Sequence, residues 1–159
     1  MKRKLLALAI PMLLVTSIGV GCSAKEKQVD PKVSIEQNKK EDYKENLAYL
    51  MKDLSEQSKV VSDILTSKKS VEEKQKEFET ASKDLLAIGD KVKALNASDK
   101  YKDVQLTMET AMGLLNMSVL SIKDGFEQKD GNLMSIGNDA IIKASKKIDE
   151  ANKMMQEIK

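Results

Sequence analysis

Residues 71–95 carry the pattern that most restricts this chain. Val71, Phe78, Leu85 and Val92 recur every seven residues, and Ala81, Ile88 and Leu95 recur every seven with an offset of three. Two apolar stripes three apart in a seven-residue frame define one face of an α-helix. A strand would need alternation with period two. Ser70-Val71-Glu72-Glu73 precedes the stripes as a capping box, in which serine and glutamate satisfy each other's backbone N–H groups.

Three further segments repeat the theme. Ser34-Ile35-Glu36-Gln37 is another capping box, followed by Tyr43, Leu47, Leu50, Leu54, Val61 and Ile64 on one seam, with Gln57 its only polar member. A third seam holds Tyr101, Val104, Met108, Ala111, Leu115 and Ile122. The fourth repeats Met134, Ile141, Ile148 and Met155 every seven residues beside a mostly small stripe of Gly137, Ala144, Ala151 and Ile158, which predicts close approach to a neighbour. The breaks are "TSKKS" at 66–70, "NASD" at 96–99, and "KDGFEQKDG" at 123–131 with its two Asp-Gly pairs. Charged residues make up 33 % and aromatics 3 %, a balance that favours helix over strand. The expected fold is all-α: an up-down-up-down antiparallel four-helix bundle, with helices at about 35–66, 71–96, 99–124 and 132–158, behind an N-terminal signal helix and a short tether. A three-helix arrangement with a detached first helix is the alternative.

The chain contains no histidine and one cysteine, Cys22. Serine and cysteine triads, haem ligation by histidine, HExxH zinc sites and Glu-x-x-His di-iron sites are thereby excluded, as are an internal disulfide and a CxxC centre. Paired carboxylates such as Glu72 and Glu73 sit at an expected helix start, where the dipole accounts for them. Met108 and Met112 have a spacing compatible with soft Cu(I), but methionine packing explains them more simply. The acidic stretch from Asp124 lacks the alternation of a calcium loop, and Ile141 stands where a loop from Asp130 would need glutamate. No enzyme, metal or cofactor is expected.

The first 22 residues show where the protein works. Lys2, Arg3 and Lys4 precede an uncharged run, "LLALAIPMLLVTSIGVG", which is shorter than the roughly twenty residues of a membrane span and has the shape of a secretory signal. Ile18-Gly19-Val20-Gly21-Cys22 resembles a bacterial lipobox, with Gly19 in place of the usual leucine three residues before the cysteine. The resemblance implies a signal peptide at 1–21 that is cut before Cys22. It also implies diacylglycerol on the Cys22 sulfur and a tether at 22–33 leading to a bundle domain at 34–159. In general character that domain resembles small helical lipoproteins of Gram-positive bacteria. The implied location is the extracytoplasmic face of the cell membrane, held by the lipid anchor. Without the three basic residues of the signal, 24 Lys plus Arg stand against 25 Asp plus Glu. That balance gives no electrostatic footprint for nucleic acid.

One segment is more apolar than a bundle helix requires. "TAMGLLNMSVLSI", residues 110–122, has no charge, and Leu106, Gly113 and Leu120 fall seven apart opposite the core seam, with Met117 nearby. Either this helix is the most central and its neighbours cover the strip, or the strip is exposed and meets a partner, a second copy or lipid. The expected function is a non-enzymatic, membrane-anchored lipoprotein that binds another envelope component through Leu106, Gly113, Met117 and Leu120, as in phage exclusion or receptor masking. The alternative is a carrier or sensor that holds an apolar small ligand between its helices.

Overall fold

A computed structural model describes residues 42–158. The signal segment, Cys22, the tether, the first capping box and the predicted helix start at residue 35 lie outside the described residues. Within them the chain forms α1 (Asp42–Thr66), α2 (Val71–Lys93), one 3-10 turn (Asp99–Tyr101), α3 (Lys102–Gln128) and α4 (Gly131–Glu157), with no strand among the described residues. The four helices pack against one another. α1 lies on α2, α2 on α3, and α3 on α4 in the most extensive of these contacts.

The start of α2 follows its sequence signal. Ser70 Oγ accepts from the Glu73 N–H, and the Glu73 carboxylate accepts from the Ser70 N–H at 3.0 Å. Its end comes earlier than the predicted 96. After Lys93 the Leu95 N–H turns back to the Val92 carbonyl. Gln105 of α3 donates Nε2 to the Val92 and Lys93 carbonyls at 3.1 and 3.4 Å. Terminal carbonyls lack the usual intrahelical partner; the Leu95 N–H reaches that of Val92, and a side chain from α3 reaches both.

The end of α3 differs more. Asp124-Gly125 does not break the helix, which runs on to Gln128. Gly125 permits contact rather than turning: a Cβ there would lie 2.5 Å from Met134 Cγ and 3.1 Å from the Asp130 carbonyl. The turn falls at Lys129, whose φ of 53° and ψ of 35° are left-handed. Its N–H bonds the Phe126 carbonyl and the Asp130 N–H bonds the Gly125 carbonyl, which together make a Schellman motif. Asp130 then caps α4, accepting from the Asn132 N–H at 2.8 Å. Of the two Asp-Gly pairs, only the second lies at the turn.

The core follows the predicted seams with local shifts. Tyr43, Leu47, Leu50, Leu54 and Val61 of α1 are buried, but Leu65 takes the last place and Ile64 is half-buried. Val71, at the start of the α2 stripe, is exposed. Gln57, the polar seam residue, donates Nε2 to the Ala81 carbonyl at 2.9 Å. The small stripe of α4 permits close approach: a Cβ on Gly137 would lie 2.5 Å from Ile122 Cγ1 and 2.9 Å from the Ser118 carbonyl of α3. Phe78 of α2 meets Phe126 of α3 with centroids 5.7 Å apart. Tyr43 stacks on Tyr101 at 5.0 Å. No helix among the described residues is long and apolar enough to cross a membrane.

Candidate functional site

At about 100° per residue, α3 divides into a buried arc and an outward line. Met108, Ala111, Leu115 and Ile122 fill the centre of the arc and are nearly inaccessible. On one flank Gln105 and Met112 meet α2. Gln105 bonds the Val92 carbonyl, and Met112 Sδ would be 3.4 Å from a Cβ on Gly89. On the other flank Ser118 and Gly125 meet α4 at Gly137 and Met134. With α2 on one side and α4 on the other, no described helix covers the remaining face.

Leu106, Gly113, Met117 and Leu120 lie on that uncovered face. Leu106 is 64 % exposed, Met117 47 % and Leu120 52 %. Gly113 is exposed, and a Cβ there would meet nothing within 4 Å among the described residues. α3, like α2, is flanked by two helices, yet its strip stays exposed. The sequence assigns the core to the Met108, Ala111, Leu115 and Ile122 seam, and the packing of α2 and α4 leaves the opposite strip exposed. The other exposed large apolar side chains, Tyr49, Val60, Val71 and Ile136, lie on α1, α2 and α4. Among the described residues, α3 alone carries three such side chains.

Two clefts among the described residues offer space for a ligand. A cleft of about 220 Å³ lies between α2 and α3, walled by Leu85, Leu86, Gly89, Met112 and Leu115 with Asp90, Lys93 and Asn116 around it. Ligand sites usually run from about 300 to 1,000 Å³. A larger groove of about 660 Å³ between α1 and α2 is open and lined by Glu73, Lys76, Glu77 and Asp84 beside Val60 and Ile64. Its surface is mainly apolar, but it is wide open to solvent and does not enclose a ligand. Met108 and Met112 are both core residues. No group of three His, Cys, Asp or Glu side chains that could hold a metal occurs among the described residues.

The most notable polar feature was not anticipated from the sequence. The Tyr43 hydroxyl donates to Gln105 Oε1 at 2.9 Å, and Gln105 Nε2 also reaches Glu109 Oε1 at 3.0 Å. Burial, with the Glu109 and Tyr101 charges, pushes the Tyr43 phenol up to about 12. A signal was present: Gln105, Met112, Val119 and Phe126 recur every seven residues, and all four are buried. The network joins α1, the end of α2 and the start of α3.

No curated protein and no solved structure matches the chain. A family model, the domain of unknown function DUF7018, matches residues 33–155. Because that match takes in the whole described bundle but its last residues, the chain belongs to the DUF7018 family.

Proposed function

We propose that this protein is an exported, non-enzymatic lipoprotein. In this reading residues 1–21 are a signal peptide and Cys22 carries diacylglycerol. Residues 22–33 tether a bundle domain, 34–159, to the extracytoplasmic face of the cell membrane. The domain binds a further component of the envelope through Leu106, Gly113, Met117 and Leu120. Masking a membrane receptor or excluding a phage would be uses of such binding. The observation that carries the reading is the line of exposed apolar side chains on α3, Leu106, Met117 and Leu120, on an otherwise charged chain. The start of the family match at residue 33, beside the end of the tether, supports the division of the chain.

We read the bundle as up-down-up-down and antiparallel. Support comes from four pairings. Gln57 reaches Ala81, and Lys74 reaches Leu65, near the α1–α2 connection. Thr107 near the start of α3 meets Met154 near the end of α4, and Gly125 near the end of α3 meets Met134 near the start of α4. The carrier alternative needs a cavity, and the α2–α3 cleft is smaller than most ligand sites.

The test is chemical crosslinking on intact cells with mass spectrometry, comparing the natural chain with Cys22→Ala and Leu120→Asp. A discrete adduct that needs both residues is expected. An adduct that persists in Leu120→Asp would remove the strip from the reading. Absence of incorporated fatty acid at Cys22 would remove the anchor.

A further inference from the structure

We infer that the component bound by the outward face of α3 is a second copy of this chain, in an antiparallel contact whose two-fold axis passes beside Gly113. The inference rests on the docking reading of that face and names its occupant.

Two pairs of positions on the face are palindromic in chemistry, while Glu109 is the counterpart of Met117. Leu106 and Leu120 lie seven residues either side of Gly113, and Lys102 and Asp124 lie eleven either side. At about 100° per residue all five fall within about 20° of one line along the helix. Antiparallel apposition about Gly113 puts Leu106 of each copy against Leu120 of the other and Lys102 of each against Asp124. It is the self-complementary arrangement that a two-fold contact demands. Glu127, one turn beyond Asp124, adds a second carboxylate near Lys102 of the other copy. The one like-charged pair that this register makes is Asp99 with Glu127. Each already has its own lysine, Lys102 at 2.7 Å from Asp99 and Lys123 at 3.8 Å from Glu127.

Gly113 is the independent observation. Glycine in a helix interior destabilises the helix relative to alanine. Gly125 and Gly137 offset that cost by admitting Met134 and Ile122, but among the described residues nothing approaches Gly113. A glycine at the crossing point of two helices lets their backbones come close, and the proposed axis passes there. Three large apolar side chains on one helix cover less than the roughly 800 Å² per partner of a standard interface. The dimer is therefore weak in free solution, and confinement to a membrane surface raises its occupancy.

The test uses the full chain in cells. A photo-crosslinking amino acid replaces Met117, and the adduct mass is read. An adduct of twice the chain's own mass is expected. An adduct of any other mass, or a crosslink into the same chain's residues 1–41, overturns the second copy while keeping the strip as a contact face. No adduct overturns both readings.

Register is read by cysteine pairing under an added oxidant. Gly113→Cys should link to itself. Leu106→Cys should link to co-expressed Leu120→Cys but not to itself, since two Leu106 positions lie about 21 Å apart in this register, far beyond disulfide reach. Self-linking of Leu106→Cys as strong as that of Gly113→Cys would overturn the antiparallel contact. Lys102→Glu should reduce the Gly113→Cys link at least threefold, and Lys102→Glu with Asp124→Lys should restore it. Failure of the charge swap to restore the link would overturn the proposed pairing.

Discussion

The Tyr43 hydroxyl and the Gln105 amide oxygen are 62 residues apart in sequence and 2.9 Å apart in the fold, both buried. Through this bond the start of α1 is fixed to the side chain that closes the last carbonyls of α2. Removing the hydroxyl leaves Gln105 Oε1 without its donor. Tyr43→Phe should cost about 1–3 kcal/mol, measured by urea denaturation at neutral pH.

The same contact has a pH signature. The folded phenol titrates at about 12 against an ordinary 10, so between those values the folded state holds a proton that the unfolded state has lost. Its contribution is fully present below pH 10 and is lost as pH rises through about 12. Stability of the natural chain should fall more steeply over that window than stability of Tyr43→Phe, as read by denaturation midpoints. Parallel curves would show that Tyr43 is not the group responsible.

Two glycines should respond in opposite directions. Gly137→Ala drives a methyl into Ile122 and the Ser118 carbonyl across the α3–α4 contact, and overpacking of this kind costs about 1–3 kcal/mol. Gly113→Ala meets open space and should raise helix stability by about 0.5–1 kcal/mol. Thermal melts of both variants beside the natural chain check the pair.

Lys129 adopts a left-handed conformation that glycine enters without a Cβ penalty. Lys129→Gly should therefore stabilise the α3–α4 connection by a few tenths to about 1 kcal/mol. A fall in the melting temperature would mean that the lysine side chain contributes more to the turn than the backbone strain removes.

Ser70 and Glu73 close the start of α2, and Ser70→Ala should cost about 0.5–2 kcal/mol. Hydrogen bonds from the Ser70 hydroxyl and then its N–H hold the Glu73 carboxyl below its ordinary range. That contribution is present above the ordinary glutamate pKa and lost as pH falls through the lowered one. The gap between natural chain and variant should narrow in acid, as followed by circular dichroism.

Leu120→Asp should leave the fold intact. Leu120 is 52 % exposed on α3, and surface changes of this kind usually stay within about 0.5 kcal/mol. An unchanged unfolding midpoint, with loss of the crosslinked adduct, is expected. Unfolding of the bundle would make the strip core after all.

Helix identity was legible because it rests on local periodicity. The seven-residue stripes marked α2 to within three residues at its end, and the small stripe Gly137, Ala144, Ala151 foretold the close approach to α3. The end of α3 was misread because Asp124-Gly125 has turn chemistry, whereas Gly125 is needed for contact with Met134, a fact that only the neighbouring helix supplies. Gln105 was missed because a polar residue becomes core only when partners from two other helices converge on it.

The sequence by itself determined four amphipathic helices, their approximate limits, and the two apolar faces of α3, since each depends on neighbours within one or two helical turns. Tertiary structure alone decided whether the second apolar face of α3 is covered. α2 and α4 occupy its flanks, Gln105 and Met112 lock it to one and Ser118 and Gly125 to the other, and Leu106, Gly113, Met117 and Leu120 point away from both.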